Sequence, residues 1–534
     1  MFSRKTLYFI LFLLPFLSFS QDKPGISQQI EEKFKPISDA WSSLVFYSIP
    51  MFGVKIPIVL ILLILGALYF TLYFRFPQFK LFKTAIQVVM GKYDDIDHHG
   101  SMTVAGDPTP NDDEDIPETI KIEGDHHGEV SHFQALSAAL SATVGLGNIA
   151  GVAVAIAIGG PGATFWMILA GLLGMASKFT ECTLGVKYRD IGEDGTVYGG
   201  PMYYLKKGLG EMGKGSFGKF LAVFFALMVI GGSFGGGNMF QANQSAAQFI
   251  KLFNIQHPDA GFYFGIFLAV LVGIVIIGGI KRIGKVAERI VPLMAVIYVG
   301  AALVIILMNF HLVPEAIMLI IKSAFTPQAA VGGFIGVLIQ GFRRGTFSNE
   351  AGVGSAAIAH SAVKTKYPAS EGIVALLEPF IDTVVICTMT ALVLVITNLK
   401  YGLFSYGDSS LDGKGVELTA SAFDSVIPHF SIILTIAVIL FAFSTMLSWS
   451  YYGLQGWKFV FGRGKKADIL YKILFLLFVI IGASVKLGSV LDFSDAMIFA
   501  MVFPNMVGLF FLAPKVREEL VKYLKAIKQR KAKQ

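Results

Sequence analysis

Charge is scarce in this chain: Asp, Glu, Lys and Arg supply 15% of its 534 residues. So little charge is unusual for a water-soluble body of this length. Cysteine is nearly absent, with only Cys182 and Cys387. They form no CxxC pair, so there is no disulfide framework, zinc ribbon or dithiol motif. No G-x-x-x-x-G-K-[ST] stretch occurs, which argues against ATP-driven transport by this chain. HExxH is missing too, and no paired catalytic constellation lies in the apolar runs, so an intramembrane enzyme has no support.

What is present is apolar. Hydrophobic residues make up 54% of the chain, and mean hydropathy is +0.64. Many runs stay apolar for about 20 residues, the length that crosses the hydrocarbon core. The chain therefore reads as an all-α polytopic membrane protein. Its net charge of +7 fits basic cytoplasmic loops, not nucleic-acid binding. Arg4 and Lys5 precede a short apolar core at 7–17, closed by Ser18-Phe19-Ser20. This pattern reads as a signal peptide over 1–20, with an uncleaved anchor as the alternative. Residues 21–54 then form an extracytoplasmic segment.

Eleven spans follow. The first lies near 55–75, and the others near 131–158, 163–187, 218–250, 261–280, 289–310, 329–360, 371–397, 429–457, 468–486 and 489–513. With residue 54 outside, every inside loop is basic. Examples are Arg75, Lys80 and Lys83; Lys187, Arg189, Lys206 and Lys207; and Lys458, Arg463, Lys465 and Lys466. The basic tail at 514–534 is also inside. The expected placement is multi-pass in the plasma (inner) membrane with a cytoplasmic C-terminus. The loop at 76–130 is cytoplasmic, acidic and His-containing.

Within the second span, residues 143–155 read TVGLGNIAGVAVA. Each of its three glycines costs about 1 kcal/mol of helix propensity. The span near 329–360 contains GTFSNEAGVGSAA at 345–357. The pattern N-x-A-G-V-x-x-A recurs between the two at an offset of 201 residues. Five spans start with each copy, over 131–310 and 329–513. The first copy runs inside to outside and the second outside to inside, so the halves are inverted. Glycine-interrupted spans at matching positions of inverted halves point to a secondary transporter site. A break at membrane depth frees backbone N–H and C=O groups that lipid cannot satisfy. N–H groups at a half-helix N-terminus suit a carboxylate, and freed carbonyls suit a hard cation.

Three stretches resemble the alanine or glycine:cation symporter family: residues 137–162, GFRRGTFSNEAGVGSA at 341–356 and FSTMLSWSYYG at 443–453. That family belongs to the amino acid–polyamine–organocation superfamily. The resemblance implies a LeuT-type 5+5 inverted repeat with one extra N-terminal span. It implies uptake of a small neutral amino acid coupled to sodium, with proton coupling or a non-transporting amino acid sensor as alternatives. A channel fits poorly, because no continuous polar pore or repeated filter is legible.

On this resemblance, Gly145, Leu146 and Gly147 present N–H groups to the substrate carboxylate. Asn148 offers its oxygen to a cation or its amide to the carboxylate, with a plain interhelical hydrogen bond as the competing use. In the second broken span the expected zone is Gly345, Thr346, Phe347 and Ser348, with Phe347 as an apolar wall and freed backbone for the amino group. Gln241 and Gln244 share a helix face at i, i+3 and suit a zwitterion. Phe441, Ser444 and Thr445 stand at i, i+3 and i+4. They resemble one half of the superfamily's sodium site, whose other half would be the carbonyls of Ser141 and Val144. Trp449, one turn past Thr445, closes the pocket or packs in the core.

Four further features stay open. Arg343 or Arg344 is expected to pair with Glu350 or snorkel as a gate. Glu378 and Asp382 form a candidate proton or cation pair at i, i+4, kinked by Pro379. Lys178 and Glu181 read as a structural i, i+3 pair. DHHG occurs twice, at 97–100 and 125–128, which suggests either zinc binding or a flexible acidic insertion. The partners implied are a small neutral amino acid, sodium and lipid, with no nucleic acid. The sequence sets no oligomeric state.

Overall fold

The computed structural model describes residues 25–51, 53–97, 128, 130–192, 195–277, 279–326, 333–408 and 414–533. The expected leader at 1–20 and the histidines of both DHHG copies lie outside the described residues. Among the described residues no group of three or more His, Cys, Asp or Glu could hold a metal ion.

The chain enters through α1 (Ile26–Val45), a helix lying against the helix that starts near residue 487. Phe34 meets Phe493 with ring centroids 5.1 Å apart, and Ser38 Oγ donates to the Ser489 carbonyl at 2.7 Å. A hairpin of β1 (Ser48–Met51) and β2 (Val54–Pro57) leads into α2 (Ile58–Tyr73), which carries no charged residue.

The first broken helix is α3 (His132–Thr143) and α4 (Val152–Gly159), bent by 53°. A capping box starts α3: Gln134 N–H donates to Ser131 Oγ, and Ser131 N–H to Gln134 Oε1. At Val144 the backbone turns to ψ 90°, and a π-helical turn at Gly147–Gly151 resumes the helix. Next come α5 (Ala163–Lys187), α6 (Pro201–Glu211) and α7 (Gly215–Phe234). A π-helical turn at Gly235–Met239 joins α7 to α8 (Phe240–Leu252). Then follow α9 (Ala260–Ile276), α10 (Gly279–Met308) and α11 (Val313–Phe325).

The second broken helix is α12 (Gly333–Asn349) and α13 (Ala356–His360). After it, α14 (Pro368–Ala375) passes through a π-helical segment at Phe380–Cys387 into α15 (Thr388–Tyr401). The remaining helices are α16 (Gly415–Asp424), α17 (Phe430–Phe461), α18 (Lys465–Ser484), α19 (Leu487–Ala500) and α20 (Val502–Lys533).

Among the described residues, six helices are long and apolar enough to cross a bilayer, or eight if each bent pair is one span. The apolar helices α2 and α9 are shorter. Each run read as a span coincides with a helix or helix pair, but the full count of eleven rests on the sequence. Helices α6, α11 and α16 fall in stretches read as loops.

Close packing in the centre depends on small residues. A Cβ on Gly341 would lie 2.5 Å from Trp166 Cβ and 2.6 Å from the Ala163 carbonyl, so glycine lets α12 press against α5. Helix α17 packs along α3, α7, α8 and α10. The ends of the two broken helices that lie away from the breaks are tied through backbone: Val130 N–H donates to the Ala362 carbonyl, and Lys364 N–H to the Val130 carbonyl at 2.8 Å.

Candidate substrate and cation site

The two broken helices meet. A Cβ on Gly147 would lie 3.5 Å from Ser348 Cα and 3.7 Å from the Phe347 ring. The break of the first helix therefore faces the last turn of α12. Gln241 on α8 reaches the same point. Its Oε1 accepts from Leu146 N–H at 3.2 Å, and its Nε2 donates to the Gly236 carbonyl at 3.0 Å. Asn148 Oδ1 accepts from Gly145 N–H at 2.8 Å. Two of the N–H groups expected to face a carboxylate are thus held by side-chain amides.

Asn148 Nδ2 donates to Asp382 Oδ1 at 2.6 Å and to the Asp382 carbonyl at 3.1 Å. Asp382 also accepts from Ser348 Oγ at 2.8 Å and Thr383 Oγ1 at 2.7 Å. A buried carboxylate held by neutral donors sits beside both breaks. Cys387 joins the group, with Sγ 3.3 Å from Asn148 Nδ2.

The second break differs from expectation. Residues 345–348 are helical, and α12 continues to Asn349. The unwound stretch is 350–355, where Glu350, Gly352 and Gly354 take φ of 56°, 84° and 93°. Glu350 N–H makes the last helical bond, to the Thr346 carbonyl at 2.8 Å, and Asn349 Oδ1 takes the Ala351 N–H. The left-handed turn ends the helix there: the Thr346 carbonyl keeps its helical bond, and the carbonyls of Phe347 and Ser348 lie past the last one. Thr346, Phe347 and Ser348 remain buried at the crossing, and Phe347 packs edge-on against Phe240 with centroids 5.4 Å apart.

The expected arginine–Glu350 pair is corrected as well. Arg343 and Arg344 both reach Asp495 on α19, Arg343 at 2.7 Å. Glu350, turned off the helix end, accepts from Ser355 Oγ and from Trp449 Nε1 at 3.1 Å. Trp449 lies over Gly237, where a side chain would collide with the indole. Gln244 is turned away from the break: Oε1 accepts from Val416 N–H at 3.0 Å, at the start of α16, and Nε2 donates to Asn243.

Four of the five residues of the expected cation set lie on α3 and α17, which touch here, and Val144 follows the end of α3. Thr445 Oγ1 donates to the Ser141 carbonyl at 3.2 Å, and Ser444 Oγ to the Phe441 carbonyl at 3.0 Å. Ser141 Oγ lies 3.4 Å from the Ser444 carbonyl. Val144, the last residue before the break, is buried beside them. A Cβ on Gly145 would lie 2.5 Å from Thr445 Oγ1, so this set abuts the first break. Its donors are neutral oxygens, which suit a monovalent ion better than calcium.

Glu378 and Asp382 do not form a pair. Glu378 accepts from Lys178 Nζ at 3.0 Å and faces His360, whereas Asp382 belongs to the crossing. Their partners come from different elements, Lys178 and His360 for Glu378, and Asn148 and Ser348 for Asp382. Lys178 and Glu181 are also separate, since Glu181 accepts from Asn505 Nδ2 at 3.0 Å.

The sequence reading did not place Ser448, whose Oγ donates to Ser141 Oγ at 3.0 Å, or Thr419, which reaches the Ile149 carbonyl at 3.3 Å. Ser448 lies one turn past Ser444 on the same face and was findable by spacing. Thr419 sits in a loop helix without such a signal.

A family profile described as the sodium:alanine symporter family matches residues 115–534. The sodium/alanine symporter AgcS of Methanococcus maripaludis is 43% identical over 413 residues, 76% of this chain and 88% of that protein. The putative sodium/proton-dependent alanine carrier protein YrbD of Bacillus subtilis is 38% identical over 415 residues, covering 75% of this chain and 82% of its own length. Among solved structures, MhsT in complex with L-phenylalanine superimposes with a TM-score of 0.51 at 15% identity, over 75% of this chain and 100% of that one. At that identity the likeness speaks to the fold, which is LeuT-type.

Proposed function

Because this chain belongs to the sodium:alanine symporter family, and is a multi-pass membrane transporter and not an enzyme, we propose that it takes up a small neutral amino acid, alanine or glycine, together with sodium. The movement is alternating access around the crossing of its two broken helices, with the C-terminus in the cytoplasm of the inner membrane. The observation that carries this reading is the contact of Gly147 with Phe347 and Ser348, beside Gln241 and against Thr445.

The substrate carboxylate docks on the N–H groups of Gly145, Leu146 and Gly147, displacing the oxygens of Asn148 and Gln241 that hold two of them now. The positive end of the resumed helix favours the anion. Asn148 and Gln241 then turn to the zwitterion, and Phe347 with Trp449 limits side-chain size. Sodium binds between the carbonyls of Ser141, Val144 and Phe441 and the hydroxyls of Ser444 and Thr445. It bridges α3 to α17 and orders the break, which raises amino acid affinity.

Proton coupling is the second reading, favoured by the Asp382 carboxylate among neutral donors at the crossing. Uptake of labelled alanine and glycine into proteoliposomes separates the two. An inward sodium gradient drives accumulation on the first reading, at either of two pH values. Accumulation that ignores sodium and follows an inward proton gradient supports the second. No uptake under either gradient removes the substrate assignment.

A further inference from the structure

Six ionisable side chains that the proposed site does not use form one buried chain beside the Val130–Val363 tie. His132 is the first residue of α3, and His360 the last of α13. His132 Nδ1 contacts Glu371 Oε2, and its Nε2 lies 3.5 Å from Asp97 Oδ2. His360 Nδ1 lies 2.5 Å from Glu371 Oε1, and its Nε2 3.4 Å from Glu378 Oε2. Lys178 closes the chain on Glu378 at 3.0 Å. One carboxylate, Glu371, therefore joins the first broken helix to the second.

Both nitrogens of each imidazole face a carboxylate oxygen. A neutral imidazole has one N–H and one lone pair, and a carboxylate only accepts. Either ring, if neutral, would aim its lone pair at an anion. With both rings protonated, the three carboxylates are balanced by His132, His360 and Lys178. With both neutral, two negative charges stay uncompensated in a buried site, which is costly. The surrounding groups do not supply them. Thr365 and Tyr523 offer neutral hydroxyls to Asp97, and Arg189 is spent on the carbonyls of Ser361 and Val363. Glu181 and Glu350 add further carboxylates near Lys178.

We propose that His132 and His360 are two proton-binding sites that latch the inner ends of both broken helices, and that their protons leave when the inner side opens. This rests on the alternating-access reading, with these ends facing the cytoplasm. Opening must part His132 from His360 across Glu371 and admit water. Each imidazolium then gives its proton to that water and regains one on closing. By linkage, each proton released shifts the closed–open balance toward open by about tenfold per pH unit, at the limiting slope. Internal alkalinity therefore favours the inward-open form across the imidazole range.

The test uses the full-length chain in two measurements. In nanodiscs, amide exchange of residues 130–134 and 356–363, corrected for the intrinsic pH dependence, is expected to quicken at least about threefold from pH 6 to pH 8.5. Unchanged corrected protection overturns the latch, whatever the transport result. In proteoliposomes at fixed external pH, amino acid exchange is expected to vary with internal pH, and His132→Gln/His360→Gln is expected to flatten that response. A double variant that still exchanges amino acid with the wild-type internal pH profile also overturns it. Sodium-driven uptake with no change in protection would remove the latch and leave the transporter. Altered protection without any uptake would do the reverse.

Discussion

At Thr445 one hydroxyl serves two neighbours. It donates to the Ser141 carbonyl and lies where a Gly145 side chain would be. In Thr445→Ala, the proposed sodium site loses one of five oxygens. A single neutral contact is worth about 1 kcal/mol, so half-saturating sodium is expected to rise about fivefold to tenfold, with folding preserved by size-exclusion profile. Wild-type sodium activation in that variant would remove Thr445 from the site. Gly145→Leu is expected to abolish alanine binding by filling the break, and unchanged binding by scintillation proximity would place the amino acid elsewhere. The glycines and Asn148 of the first break were legible in the sequence, because their pattern recurs in the second half at a fixed offset. The end of α12 was not. It hinges on Glu350 at φ 56°, a conformation that a non-glycine residue seldom adopts and that composition does not announce.

Helices here are positioned by glycine contacts and by a few buried charges. Gly341 lets α12 touch α5 backbone. Gly341→Val overpacks that seam and is expected to cost about 1–3 kcal/mol, seen as a lower thermal midpoint in detergent. An unchanged midpoint would mean the seam yields freely. Asp495 on α19 holds both Arg343 and Arg344 of α12. Asp495→Asn removes the buried carboxylate that both arginines share, leaving Arg343 with Asp492 at 3.9 Å, and is expected to cost about 3–5 kcal/mol. Arg344→Gln in the same background should recover part of that loss, and failure to do so would show that the charge balance is not the cause. Spacing alone suggested that Glu378 and Asp382 were neighbours and that an arginine met Glu350. Both pairings failed, in one case because Lys178 and His360 claim Glu378 while Asn148 and Ser348 claim Asp382, in the other because a left-handed turn carries Glu350 off the helix.

Across the whole molecule, the halves are held where their broken helices cross and where the helix ends away from the breaks are tied by Val130 and Val363. The repeat motif and the alternation of basic loops made this architecture legible, because inversion leaves both a sequence offset and a charge pattern. The carboxylate–imidazole chain was not legible, since its members come from positions as far apart as 97 and 378 and meet only through the fold. The central claim is that sodium and a small amino acid bind to one coupled site at the crossing. It is tested most directly by equilibrium binding of alanine at trace and at saturating sodium, paired with sodium binding with and without alanine. Sodium is expected to tighten alanine by about fivefold or more, and alanine to tighten sodium by the same factor, because binding linkage is reciprocal. Alanine affinity that does not change with sodium would contradict the coupled site.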